Sequence, residues 1–235
     1  MKRINLIQWA VILTTLYICL PIQTANAQKI DFGNLARYAQ DNVTLSKPGK
    51  HEKRIVFLGN SITEGWTGNH PDFFRNNGYI GRGISGQTSY QFLLRFREDV
   101  IHLSPALVII NVGTNDIAEN TCPYDENRTF GNLISMVELA RANKIKVILT
   151  SVLPAAAFHW NPDVKDAPQK ILSLNERIKT YAKAHHIIYA DYYREMVSGE
   201  NHALNPQYTS DGVHPTGAGY DVMEKIIRQA IKVTL

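Results

Sequence analysis

Short, largely apolar runs recur along this chain, and stretches of a different period separate them. The runs are "RIVFLG" at 54–59, "YIGRGI" at 79–84, "ALVIINVG" at 106–113, "KVILTSVL" at 146–153 and "IIYAD" at 187–191. A run that is apolar at every position, rather than at alternate ones, suits a strand covered on both faces, which is the condition of a parallel sheet. Between the runs the apolar residues fall at helical spacing. Phe92, Leu93, Phe96, Val100 and Leu103 form one stripe, Leu133, Met136, Val137 and Ala140 a second, and Ile171, Leu174, Ile178 and Tyr181 a third. "GYDVMEKIIRQAIKVTL" closes the chain with another. Strands alternating with helices imply right-handed βαβ units. The expected fold is α/β, a three-layer α/β/α sandwich around a central parallel sheet of about five strands. The segment 28–53 has no clear period and is expected to pack against the outside.

Residues 1–27 stand apart from this pattern. Lys2 and Arg3 precede the apolar run "LIQWAVILTTLYICL", and Ala25-Asn26-Ala27 supplies small residues for cleavage. That is the layout of a secretory signal peptide. As a membrane anchor the run is short of the roughly 20 residues a span needs, and Gln8, Thr14 and Thr15 interrupt it. Cys19 is a poor lipid-attachment site because bulky Leu16, Tyr17 and Ile18 precede it. The expectation is export, to the periplasm or beyond, with residues 28–235 forming a single domain and no stable membrane insertion after cleavage.

Loss of the leader removes Lys2 and Arg3 and lowers the formal net charge from +4 to +2. No dense basic stripe with interleaved aromatics remains, so nucleic acid is not an expected partner. Cys122 is then the sole cysteine, which excludes an intramolecular disulfide and a thiolate metal site. No CxxC or HExxH spacing occurs, and no metal or cofactor is expected.

In an open α/β sheet, ligands lie beyond the carboxyl ends of the strands. That rule sorts the polar residues. Ser61 follows the first run, Gly86 the second and Asn115 the third, while Asp211 and His214 immediately precede the last helix. A serine is a weak nucleophile unless an adjacent base activates it and a third group orients that base. The Asp-x-x-His spacing occurs twice, at Asp99/His102 and Asp211/His214. The first pair lies on a helix that leads to the amino end of the third strand, at the wrong edge. The second is flanked by Gly212 and Pro215, which favour an ordered loop. Position favours Asp211/His214.

Other polar groups have simpler explanations. A lone serine after a strand is commonly a cap. His185 and His186 end a helix, and His51, His70, His159 and His202 have no partner at useful spacing. Asp116 and Glu119 are expected to begin or solvate a loop. "GRGISG" lacks the helix and acidic residue of a dinucleotide fingerprint.

"GNSIT", "GRGISGQT", "GTND" and "DGVHP", in that order from residue 59 to 215, resemble the blocks of the SGNH hydrolases, or GDSL-type esterases and lipases. The resemblance implies a flavodoxin-like sandwich with Ser61 as nucleophile, His214 as general base and Asp211 as its orienting group. It also implies an oxyanion hole made by the Ser61 and Gly86 amides and the Asn115 side chain. Where the first block often reads Gly-Asp-Ser-Leu, this chain has Gly59-Asn60-Ser61-Ile62, so no role passes to Asn60.

The expected activity is ester hydrolysis through an acyl-enzyme, on a small-molecule or glycan ester. The stretches 64–78, 117–129 and 154–168 are expected to shape the pocket, with Trp66, Phe73, Phe74, Tyr124, Phe158 and Trp160 available either to stack on sugars or to pack in the interior. No long apolar insertion offers an acyl tunnel. A short-chain, acetyl-removing carbohydrate esterase is therefore the leading expectation. A lysophospholipase or thioesterase is the nearest alternative. A catalytically silent glycan-binding module, or an FMN- or nucleotide-binding protein, comes from another class. The first would not need all three of Ser61, Asp211 and His214, and the second lacks a phosphate loop after the first strand.

Overall fold

The first strand, β1 (Ile55–Gly59), is buried along its whole length, and its side chains alternate between two separate cores. Val56 and Leu58 enter one; Ile55 and Phe57 enter the other. This is why the run carries no polar alternation: both faces are covered. The computed structural model describes residues 30–235, and the leader expected at 1–27 lies outside them.

Four further strands join β1 in one sheet: β2 (Tyr79–Gly83), β3 (Leu107–Ile110), β4 (Lys146–Thr150) and β5 (Ile188–Ala190). All pair in parallel, in the order β2-β1-β3-β4-β5. Val56 stands level with Ile80 on one side and Val108 on the other, and Val108 with Val147. The apolar layers are therefore continuous across the sheet.

The helices follow in chain order: α1 (Ala36–Thr44), α2 (Ser61–Asn69), α3 (Pro71–Asn77), α4 (Ser89–Asp99), α5 (Thr114–Ile117), α6 (Glu126–Ala142), α7 (Ala167–Ala184), α8 (Tyr192–Met196) and α9 (Gly217–Thr234). One core takes Phe92 and Phe96 of α4, Leu133 and Met136 of α6, and Ile171 and Leu174 of α7. The other takes Ile62 and Trp66 of α2, Phe73 and Phe74 of α3, and Tyr220, Met223 and Ile227 of α9. Each such fully buried side chain contributes about 1.5–3 kcal/mol. Local signals start the helices where the sequence allows. Thr88 and Gln91 form a reciprocal capping box on α4, and Asp125 caps α6 by accepting from Arg128 N at 3.1 Å.

One expectation is corrected, and two elements are added to those read from the sequence. The segment before β1 contains α1, of whose nine residues only Tyr38 is buried. The stretch 64–78 is not a pocket loop but the rest of α2 followed by α3, which Pro71 opens and left-handed Gly78 closes. A small hairpin, β6 (Val197–Ser198) with β7 (Ala203–Leu204), interrupts the path from α8 to α9. The five strands and the three layers stand as expected.

Candidate active site

Asn60, not Ser61, caps α2. Its side-chain oxygen accepts from Ile62 N at 3.0 Å, and the residue is buried. Ser61 becomes the first helical residue, so its hydroxyl is free of capping duty and its amide is one of the unpaired N–H groups of a helix start. The first turn of α2 sits directly on the sheet. A Cβ at Gly83 would lie 2.2 Å from Glu64 N and 2.8 Å from Asn60 O, so only glycine lets the serine turn settle there.

His214 reaches the serine from the loop before α9. Its Nε2 lies 2.9 Å from Ser61 Oγ, and its Nδ1 lies 2.6 Å from Asp211 Oδ2. With the Nδ1 proton donated to the carboxylate, Nε2 is the acceptor facing the serine hydroxyl. The loop is a closed turn. Asp211 Oδ1 accepts from the amides of Val213 at 2.9 Å and His214 at 2.8 Å, and the Thr209 hydroxyl donates to His214 O at 2.8 Å. Burial would raise the Asp211 carboxyl, but the bonds from His214 and Val213 outweigh it and hold it well below the usual carboxylate range. The His214 and Asp211 side chains remain 37% and 35% exposed, so the site opens to solvent.

The competing pair is not a pair at all. Asp99 is buried and bound to Arg95 Nη1 at 2.9 Å, whereas His102 turns to Glu98 at 3.0 Å in solvent.

Gly86 and Asn115 meet at the same edge. Gly86 has φ +78°, a conformation that glycine adopts freely. Asn115 Nδ2 donates to Gln87 O at 2.9 Å, which seats its amide group beside the Gly86 loop. Among the described residues, neither the Ser61 nor the Gly86 amide has a protein acceptor. Beneath them the fully buried Arg95 donates to Gly59 O at 2.9 Å and to Gln87 Oε1 at 2.6 Å, tying the end of β1 to the same loop. Among the described residues, no three His, Cys, Asp or Glu side chains converge as metal ligands. A groove of about 690 Å³ bordered by Ile188, Tyr208 and Ile226 contains none of the candidate residues.

Residues 57–222 match the GDSL-like lipase/acylhydrolase family. The chain belongs to that family. A crystal structure of a GDSL-like lipase from Bacteroides thetaiotaomicron VPI-5482 is 70% identical, with 87% of this chain and 100% of that one covered and a TM-score of 0.87. Esterase TesA of Pseudomonas aeruginosa is 28% identical over 163 residues, 67% of this chain and 73% of its own. An uncharacterized lipoprotein of Bacillus subtilis (strain 168) is 30% identical over 129 residues, 48% of this chain and 53% of its own. The chain thus spans about half the length of that relative.

Within this GDSL-like hydrolase, several important residues escape a reading of the sequence. Glu64 Oε2 accepts from Ser85 N at 2.8 Å and Oε1 pairs with Arg37 at 3.1 Å, so α2 holds the loop that carries Gly86. Burial would raise the Glu64 carboxyl, but the bonds from Ser85 and Arg37 keep it below its ordinary value. Tyr220 of α9 donates to Ile62 O at 2.9 Å. Asp116 does not solvate a loop: it is buried and accepts from Ser89 N at 3.1 Å and from the Ser89 and Thr129 hydroxyls. Burial pushes its carboxyl up against those bonds. His70, which has no partner at useful spacing in the sequence, binds Glu224 at 2.7 Å across 154 residues of chain.

The aromatic expectation divides. Trp66, Phe73, Phe74 and Phe158 are buried in the cores, the first three in a cluster around Phe57, and cannot touch a substrate. Trp160 is 38% exposed, and its ring centroid lies 6.3 Å from that of His214.

Proposed function

We propose that this chain is an exported serine esterase that removes short acyl groups, acetyl foremost, from carbohydrate hydroxyls. The observation that carries the reading is the alignment of Ser61, His214 and Asp211 at 2.9 and 2.6 Å. Ser61 Oγ attacks the ester carbonyl while His214 Nε2 takes its proton. The oxyanion that forms is bound by the Ser61 and Gly86 amides and by the Asn115 N–H not committed to Gln87. His214 then returns the proton to the departing alcohol. Water, deprotonated by the same nitrogen, cleaves the acyl-enzyme and releases the acid. Asp211 keeps the imidazole oriented and stabilises its positive charge.

Trp160 supports the carbohydrate reading. Its exposed indole beside His214 offers a flat apolar surface where the alcohol portion of the ester must lie, and sugar faces stack on such surfaces. The open site, with His214 and Asp211 each partly exposed, suits a bulky alcohol and a small acyl group. Export rests on the leader-like segment 1–27.

The test compares kcat/KM for acetyl, butyryl and octanoyl esters and measures acetate released from acetylated xylan. A serine-directed phosphonate should label Ser61, and Ser61→Ala should abolish labelling. An apolar acyl tunnel would gain about 0.8 kcal/mol per methylene; the reading here expects efficiency to fall beyond about four carbons. A steady rise to octanoyl without acetate from the glycan would assign the site to lipid or thioester substrates. Absence of labelling and turnover together would favour a silent binding module.

A further inference from the structure

Asn120 lies at the surface beyond α5, and no motif marks it, yet it touches three parts of the site. Its backbone N–H donates to Asn115 O at 3.0 Å. Its side-chain Nδ2 donates to Gly86 O at 3.1 Å, and its Oδ1 accepts from Trp160 Nε1 at 2.8 Å. The loops after β2, β3 and β4 are thereby joined through one residue. We propose that Asn120 is a positioning residue that holds the Gly86 oxyanion donor and the Trp160 face in register with each other. This rests on the esterase reading above, in which Gly86 and Asn115 bind the oxyanion.

The geometry at Gly86 explains why such a brace is needed. A glycine with φ +78° is conformationally loose, and its N–H direction is fixed only if the neighbouring peptide planes are fixed. The peptide one step earlier, between Ile84 and Ser85, is held by Ser85 N donating to Glu64 at 2.8 Å. The plane after Gly86 is held by Gln87 N donating to Ile84 O at 3.3 Å, and by Asn120 donating to Gly86 O. Between them the Gly86 N–H is left unpaired among the described residues. The turn that presents Asn120 is itself secured: Asn161 Nδ2 donates to Ala118 O at 2.9 Å. Since catalysis depends on donors aimed at the oxyanion, a small rotation of the Gly86 peptide lowers the rate without emptying the site.

Asn120→Ala removes both side-chain bonds. Asn120→Asp keeps the acceptor for Trp160 but replaces the donor to Gly86 O with a like-charged oxygen. Both variants should fold, because the bonds lost are at the surface; thermal melts check this. Two readouts need no carbohydrate: kcat on ethyl acetate per phosphonate-titrated site, and the rate constant for phosphonylation of Ser61. Both should fall about tenfold or more in each variant. On acetylated xylooligosaccharide, KM should rise in Asn120→Ala but stay near wild type in Asn120→Asp. Unchanged kcat per titrated site and unchanged phosphonylation in both variants would overturn the proposal. So would losses that track only the fraction of folded protein. If the wild type spares the glycan ester but cleaves ethyl acetate, the carbohydrate reading fails, while the two carbohydrate-free readouts still decide Asn120.

Discussion

The Tyr220 hydroxyl donates to the Ile62 carbonyl at 2.9 Å and so fastens the helix behind His214 to the helix that begins with Ser61. Tyr220 follows His214 by six residues, and Ile62 is the neighbour of Ser61. The nucleophile and its base thus share one buried tie although the chain separates them by 153 positions. Tyr220→Phe keeps the ring against Trp66 and deletes the bond. The Ile62 carbonyl remains an acceptor within α2, so no polar group is stranded. Unfolding in urea should show a loss of about 0.5–1.5 kcal/mol. kcat should fall severalfold with little change in KM, because the register of Ser61 and His214 loosens while the substrate surface is intact.

Asp211 makes stability depend on pH in a definite direction. Its folded carboxyl lies below the ordinary value of 3.8, mainly through the bonds from His214 and Val213 that outweigh burial. The unfolded chain therefore binds this proton at higher pH than the folded one. The stabilisation is present in full above about pH 4–5, and it is lost as pH falls through the folded value. The difference in unfolding free energy between wild type and Asp211→Asn should shrink below about pH 4, as the Asp211 carboxylate takes up its proton. Added salt should narrow it, since the pair is partly exposed. Urea titrations from about pH 5 downward provide the measurement, and a difference that grows as pH falls below about 4 would refute the assignment.

His214→Ala and His102→Ala separate the two Asp-x-x-His motifs. The first should lose about a thousandfold or more in kcat on any ester, because among the described residues His214 Nε2 is the one base bonded to Ser61 Oγ. The second should retain activity close to wild type, since His102 is half-exposed and bound to Glu98. Steady-state assays on ethyl acetate decide between them.

Much of this arrangement was legible because the relevant signals are local. Continuous apolar runs identify the strands, and the strand-edge rule singles out Ser61, Gly86, Asn115 and the Asp211/His214 turn before any coordinate is known. What stayed hidden is held by contacts distant in sequence. Glu64 meets Ser85 across 21 residues, Arg95 meets Gly59 across 36, and His70 meets Glu224 across 154. No period or spacing records such meetings. Buried polar residues mislead for a related reason: Asp116 reads as a turn former, but its carboxylate is enclosed by donors from α4 and α6. Trp66 and Trp160 show the limit for aromatics. Composition treats them alike, whereas Trp66 faces the sheet from α2 and is 2% exposed, and Trp160 stands 38% exposed beside the imidazole.

Trp160→Ala tests the substrate reading at the residue that supports it. The indole is fixed on one edge by its bond to Asn120 and on one side by Phe158 and His159, leaving part of its surface to solvent near His214. A sugar ring stacked there would gain apolar burial and a defined orientation of the ester toward Ser61. Removing the platform should cost about 1–2 kcal/mol of binding, on the order of 5–30-fold in KM for acetylated xylooligosaccharide. Ethyl acetate has no ring to stack, so its KM should change much less. The ratio of the two KM changes is the diagnostic quantity, because a general distortion of the site would move both together. Trp160→Phe retains an aromatic face but lacks the N–H that Asn120 accepts, and should fall between wild type and Trp160→Ala on the glycan. If Trp160→Ala shifts the two substrates equally, the indole is a packing residue, and the carbohydrate assignment loses its structural support.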